Sequence, residues 1–97
     1  MALTTNTSVP VFDKSMIKRG DSIRVRRATD PTGFRNGIVT RLDANQMQIL
    51  FANAQNNATS FLLIDAADVA IGVWEIWWTT DFVTINYQPP AGGGGGA

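Results

Sequence analysis

The chain has 97 residues, and its eight basic and eight acidic residues give a net charge of zero. It contains no cysteine and no histidine, which excludes disulfides, thiolate nucleophiles, imidazole bases and most zinc, haem and iron–sulfur ligand sets. A chain of this length fits a single domain with a small core. Because most enzyme classes depend on the missing groups, the composition favours a protein that binds or assembles.

The first sixteen residues are rich in Thr, Asn and Ser and show no apolar periodicity. This composition predicts a flexible arm over residues 1–16. Val9, Val11 and Phe12 could dock this arm on a neighbouring surface. The opening residues have no basic segment followed by an apolar run, so we expect no signal peptide.

Short segments of alternating apolar and polar residues follow and predict six β-strands separated by turn-forming residues. The predicted strands cover residues 22–27, 37–43, 47–51, 59–64, 73–78 and 82–87. Between the fourth and fifth strands, Asp65 is a candidate N-cap for a single helical turn over residues 65–68. Six short strands without a long helix predict a small barrel or sandwich.

Pro89 and Pro90 end the last predicted strand, and the residues after them are almost all glycine. We expect residues 89–97 to be a disordered tail. The folded unit predicted from the sequence therefore spans residues 17–88.

Three segments at the start of this unit share a pattern with a known fold. They are Ile17-Lys18-Arg19-Gly20-Asp21-Ser22-Ile23-Arg24-Val25, Gly37-Ile38-Val39 and Met47-Gln48-Ile49. They resemble the opening strands of KOW and other SH3-like barrels, in which a Gly-Asp turn starts the first strand and a glycine lets the second strand coil. The resemblance implies an all-β, small SH3-like barrel of five to six antiparallel strands, with the arm and tail outside it.

The chain is also similar to small structural proteins of tailed phages. The similarity rests on the Ala-Leu-Thr-Thr-Asn-Thr start, the asparagine-rich loops, the absence of cysteine and the Gly-rich end. It implies a viral structural protein that is located in the virion and assembled in the host cytoplasm, with a cytoplasmic protein as the alternative. The longest apolar runs, 61–64 and 74–78, are far shorter than a membrane span, so we expect no membrane partner.

The charges are segregated along the chain. Residues 1–41 hold eight positive and three negative charges, net +5, and residues 42–97 hold five negative charges, net −5. Five arginines are candidates for a basic binding face: Arg24, Arg26, Arg27, Arg35 and Arg41. They could contact phosphates while Phe34 stacks on a base. A solvated strand face or a contact with protein is the alternative, and the acidic second half of the chain favours it.

The predicted fifth strand is apolar on both sides. One side is expected to form the core together with the sixth strand: Trp74, Ile76, Trp78, Val83, Ile85 and Tyr87. The other side presents Val73, Trp77 and Phe82, which are candidates for an intermolecular interface because aromatic anchors carry much of the energy of assembly contacts. The alternative is that the arm or one end of the barrel covers this side within a single chain.

Asp65 and Asp68 are the closest acidic pair, and a helix cap accounts for both. They supply too few oxygens for calcium, which takes about six to eight. We therefore expect no catalytic residue, metal, cofactor or small-molecule substrate. The preferred hypothesis is a non-enzymatic assembly module that binds copies of itself or neighbouring virion proteins. The alternatives are a KOW-like nucleic-acid-binding module that uses the arginines, and carbohydrate or receptor binding through exposed tryptophans.

Overall fold

The structure, a computed structural model, describes residues 3–4, 10–53 and 58–90. These residues form one six-stranded antiparallel sheet and one short helix. The elements are β1 (Ser22–Arg27), β2 (Arg35–Leu42), β3 (Gln46–Ala52), β4 (Thr59–Asp65), α1 (Ala66–Ala70), β5 (Trp74–Thr79) and β6 (Asn86–Gln88). The predicted all-β class with six antiparallel strands is confirmed. The Gly-rich tail from residue 91, and residues 1–2 and 5–9 of the predicted arm, lie outside the described residues.

The strand order in the sheet is β4-β3-β2-β1-β5-β6. Strands β1 to β4 form an antiparallel meander, and α1 returns the chain so that β5 pairs with β1. Because β1 lies between β2 and β5, its arginines are placed beside the tryptophans of β5: Arg24 is opposite Trp77 and Arg26 is opposite Glu75.

Strand alternation sends one side of each strand into a common core. In β1, Ile23 and Val25 are buried while Arg24 is exposed. The buried apolar residues are Leu3, Phe12, Ile17, Ile23, Val25, Val39, Met47, Ile49, Ile64, Ala66, Val69, Trp74, Ile76 and Trp78. The predicted core positions on β5, Trp74, Ile76 and Trp78, are therefore confirmed.

Strand β2 approaches β3 very closely at Gly37. A Cβ atom at this position would lie 2.1 Å from the carbonyl oxygen of Leu50 and 2.9 Å from Cγ2 of Ile49. Any larger residue would have to displace backbone, so only glycine lets the two strands come this close.

Among the described residues of the opening segment, Leu3 and Phe12 pack into the core. The sequence predicts a flexible arm here instead. Leu3 is fully buried and Phe12 is 3% exposed. The Phe12 N–H donates to the Ala44 carbonyl at 2.7 Å, and the Asp13 N–H donates to the Leu3 carbonyl at 2.9 Å. Isolated apolar side chains fill this part of the core, and such side chains leave no periodic signal in the sequence.

The predicted sixth strand is mostly a loop. Only Asn86–Gln88 pair with β5, and the expectation that Val83, Ile85 and Tyr87 join the core is wrong because they are 84%, 60% and 42% exposed. The cause is local, since one carboxylate oxygen of Asp81 accepts hydrogen bonds from the Val83 and Thr84 N–H groups at 2.9 Å. Such side-chain bonds compete with strand pairing.

Helix α1 forms where the helical turn is predicted, but Asp65 makes no side-chain cap. Its carboxylate instead accepts a hydrogen bond from Nε2 of Gln46 at 3.2 Å. Within the described part of the chain, no helix has the length and apolar character needed to cross a membrane.

Candidate interface on the outer face of the sheet

The outer face of β1, β5 and β6 carries a group of arginine and aromatic side chains. The register places Arg24 beside Trp77 and Trp77 beside Tyr87. We call this group the arginine–aromatic cluster, and its members are Arg24, Arg26, Phe34, Glu75, Trp77 and Tyr87.

Aromatic rings hold the Arg24 side chain in place. Its Cζ atom lies 3.9 Å from the centre of the Phe34 ring and 5.9 Å from that of Trp77. The Phe34 and Trp77 rings are 5.7 Å apart, and the Trp77 and Tyr87 rings are 5.3 Å apart. Cation–π contacts at such exposed sites contribute about 0.5–1 kcal/mol each. Among the described residues Arg24 makes no ion pair with a carboxylate, so its charge is free to meet an acidic partner.

Arg26, in contrast, is neutralised within the cluster. Its Nε lies 2.5 Å from Oε1 of Glu75, and both side chains are mostly buried. The hydroxyl of Tyr87 donates a hydrogen bond to Oε2 of the same carboxylate. A carboxylate that is only 8% exposed needs such partners, because a buried charge without them is strongly destabilising.

This network raises the pKa of Tyr87 above its ordinary value, chiefly because the neutral hydroxyl donates to Glu75 and secondarily because of burial. The contact therefore stabilises the fold at pH values below the ordinary tyrosine pKa, about 10, and is lost as the pH rises through the folded value. Tyr87 is the one tyrosine in the chain, so phenolate absorbance reports on it directly. We expect a higher titration midpoint in the folded than in the unfolded protein, and Glu75→Gln should lower the folded midpoint. Equal midpoints in folded and unfolded wild type would contradict this hydrogen bond.

The five arginines of the predicted basic face do not share one surface. Arg24 and Arg26 lie together on the outer face. Arg27 ends β1 on the opposite side, opposite Trp74, with its Cζ 4.7 Å from the centre of one Trp74 ring.

The other two arginines lie on β2, away from the cluster. Arg35 is opposite the inward-facing Val25, and its Cζ is 5.5 Å from the centre of the Phe51 ring. Arg41 forms an exposed ion pair with Asp43, with Nε 3.1 Å from Oδ2. The register of the strands therefore places the five arginines on different surfaces, although they lie close together in the sequence.

The three residues of the predicted interface are separated as well. Trp77 is half-buried in the arginine–aromatic cluster. Val73 precedes β5 and packs against the core. Phe82 is 76% exposed in the loop between β5 and β6.

We call this loop, residues 80–85, the tip loop. It is well anchored, since the Thr80 hydroxyl donates to the buried Asp21 carboxylate at 3.0 Å and the Phe82 N–H donates to the Thr79 hydroxyl at 2.9 Å. The N–H groups of Thr84 and Val83 hold the pKa of Asp81 below its usual value, and at neutral pH this carboxylate is charged, as any aspartate with an ordinary pKa is. The tip loop therefore presents exposed apolar side chains on an ordered, negatively charged turn.

A second exposed apolar surface, which is not among the surfaces predicted from the sequence, lies across β2, β3 and β4. We call it the apolar strip; its members are Ile38, Leu50, Phe61 and Leu63. Ile38 pairs with Leu50 and Leu50 with Phe61 across the three strands. The signal available in the sequence was the uninterrupted run Phe61-Leu62-Leu63-Ile64, which is apolar on both sides of its strand.

A groove with a volume of about 260 Å³ separates the strip from the tip loop. It is lined by Ser22, Arg24, Asn36, Trp77, Thr79 and Ile85, among others. Because Ser22 pairs with both Ile38 and Thr79, the strip, the groove and the base of the tip loop are adjacent on the outer side of the sheet. Among the described residues, no three acidic side chains lie close enough together to hold a metal ion.

The model of one protein family, DUF5026, described as a domain of unknown function, matches residues 3–85. The chain belongs to this family. The DUF5026 match begins at Leu3, so it includes the opening segment that packs in the core, and it ends at Ile85, so it includes the tip loop. No curated protein and no solved structure matches the chain.

Proposed function

We propose that this DUF5026 protein is a non-enzymatic assembly module that binds copies of itself or neighbouring subunits through the outer face of its sheet. One observation carries the proposal: large apolar side chains are exposed on the apolar strip and the tip loop. They are Ile38 (49% exposed), Phe61 (62%), Leu63 (53%), Phe82 (76%), Val83 (84%) and Ile85 (60%). Exposed apolar surface concentrated in this way is typical of interaction sites, and its removal from water drives association.

The distribution of charge supports an oriented contact. The first 41 residues carry net +5 and the remainder net −5, and complementary charge fixes orientation and speeds encounter. Arg24, which makes no ion pair among the described residues, places a positive charge beside the groove, next to the apolar surface.

The finer description of the fold and its setting belongs to the same proposal. A four-stranded meander, a short helix and a fifth strand that returns to the first are compatible with the SH3-like barrel that the KOW resemblance implies. A tailed-phage virion, assembled in the host cytoplasm, is the setting that the second resemblance implies. A cytoplasmic assembly is the alternative.

Nucleic-acid binding is the second candidate, and one observation favours it. Arg24 stacked on Phe34, with Trp77 nearby, is an arrangement that can hold a base and a phosphate together. Against it, Arg26 and Arg41 are already paired with carboxylates, which reduces the charge available for phosphates.

The native mass of the full chain distinguishes the two candidates. We expect a mass that is a multiple of the monomer, that persists at high salt because apolar contacts are not screened, and that a single-stranded oligonucleotide does not change. Arg24→Gln should then weaken association only modestly. A monomer that binds the oligonucleotide, with an affinity that falls steeply as salt rises and is lost in Arg24→Gln, would overturn the assembly proposal and support the second candidate.

A further inference from the structure

The tip loop holds a bulky apolar residue in an unfavourable backbone conformation. Phe82 has a φ angle of +60°, a region that large side chains rarely adopt. The Phe82 N–H donates to the Thr79 hydroxyl oxygen, and the Val83 and Thr84 N–H groups donate to the Asp81 carboxylate; these bonds maintain the turn. The ring gains no burial in return, since it is 76% exposed. Strain retained at an exposed position points to a function for the side chain that it presents.

The tip loop does not cover the apolar strip of its own chain, since Ile38, Phe61 and Leu63 are 49%, 62% and 53% exposed. The loop follows Thr79 at the end of β5, and Phe61 lies four strands away in the order β5-β1-β2-β3-β4. Neighbouring strands are about 4.8 Å apart, so this distance is about 19 Å along the sheet. The groove lies between the two surfaces. The apolar side chains of the loop and those of the strip therefore both remain exposed in one molecule.

We propose that the tip loop of one copy docks on the apolar strip of a second copy, with Asp81 of the loop facing Arg24 of the receiving copy. This inference rests on the proposed assembly function and names its partner as the same chain. Phe82 and Val83 lose their exposure to water against Ile38, which is near Arg24 in the sheet, and Phe61 of the other copy.

The charges favour a second copy as the occupant. Asp81 is charged at neutral pH, as an aspartate with an ordinary pKa is, and it forms no ion pair among the described residues. Arg24 lines the groove beside the strip, and it too makes no ion pair among the described residues. A loop that is apolar and acidic matches a surface that is apolar and basic.

The positions of the two surfaces favour a reciprocal contact. Ile85 of the tip loop lines the groove on the outer side of the sheet, where the strip also lies, so two copies related by a two-fold axis can each place a tip loop on the other. The same residues then contact each other twice, as a two-fold interface requires.

Paired variants test this contact. The tip variant is Phe82→Asn with Val83→Ser, in which asparagine tolerates the positive φ. The strip variant is Ile38→Thr with Phe61→Thr, which keeps residues suited to a strand. Ile71→Ser is the matched control, because Ile71 is 69% exposed and lies after α1, outside both surfaces. Sedimentation of each variant, and native mass spectrometry of the 1:1 mixture of tip and strip variants, give the readout.

We expect a wild-type dimer whose dissociation constant rises about 30-fold or more in the tip variant and in the strip variant, and stays unchanged in Ile71→Ser. Mixed dimers should form in the mixture, because each of them retains one contact between an unaltered tip loop and an unaltered strip. Three results would overturn the contact. The first is a monomeric wild type. The second is a rise of the dissociation constant in Ile71→Ser as large as in the tip and strip variants, and the third is a mixture that associates no more than the separate variants. If the wild type still associates in the second or third case, the contact is wrong but the proposed assembly function stands. A monomeric wild type that binds the oligonucleotide would overturn both the contact and the assembly function.

Discussion

Replacing Trp78 with alanine is expected to unfold the domain or bring it to the edge of unfolding. The side chain is 1% exposed, and removing a buried tryptophan costs about 3–5 kcal/mol through lost burial and the cavity that remains. Its indole N–H also donates to the Met16 carbonyl at 2.8 Å, so the substitution loosens the opening segment as well. Small domains have a total stability of about 5–15 kcal/mol.

Trp77→Ala is the matched control, because Trp77 is the next residue but lies on the outer face. Its ring contacts Phe34 and Tyr87, and none of these three rings belongs to the core. Denaturant titration should show a much smaller loss of unfolding free energy than for Trp78→Ala, while association of the folded protein weakens. Equal destabilisation by the two variants would mean that the outer cluster is part of the hydrophobic core.

Strand alternation made the division between these two tryptophans predictable from the sequence. Trp74, Ile76 and Trp78 recur at every second position, and burial of all three follows from that period. The same rule placed Ile23 and Val25 inside and Arg24 outside. Alternation specifies sides locally, so it succeeds along β1 and β5, but not at Tyr87 of β6, which pairs with Trp77 on the outer face.

The tip loop shows where that rule ends. Val83, Ile85 and Tyr87 also alternate, yet the first two are not in a strand. The Asp81 carboxylate binds the N–H groups of residues 83 and 84, and Phe82 has a positive φ, which a β-strand does not allow. A periodic pattern carries no information about a competing turn of this kind.

The candidate interface was predictable only in parts. Trp77 and Arg24 were identified from alternation, but their contact with Phe34 depends on how the loop between β1 and β2 folds back. Pairing of Arg26 with Glu75 depends on the register between β1 and β5, which no local pattern specifies. The apolar strip likewise becomes visible only when three strands are placed side by side.

Phe12→Ala is expected to destabilise the whole domain, although composition predicts that this residue lies in a flexible arm. The ring is 3% exposed within the main core cluster, so its removal should lower the unfolding free energy by about 3–5 kcal/mol. The backbone of Phe12 is tied to Ala44, in the turn between β2 and β3. Loss of the ring should therefore loosen the segment from this turn while β1 to β5 remain paired in the molecules that stay folded.

Two measurements distinguish an opening segment packed in the core from a flexible arm that is independent of the folded unit. Denaturant titration gives the loss of stability, with Val11→Ala as the control, since Val11 is a half-buried neighbour that should cost much less. Limited trypsin digestion under native conditions reports on cleavage after Lys14, which is exposed but lies between residues that the packing of Phe12 holds in place. We expect slow cleavage in the wild type and in Val11→Ala and rapid cleavage in Phe12→Ala. Rapid cleavage in the wild type, together with unchanged stability of Phe12→Ala, would show that the opening segment is not part of the folded unit.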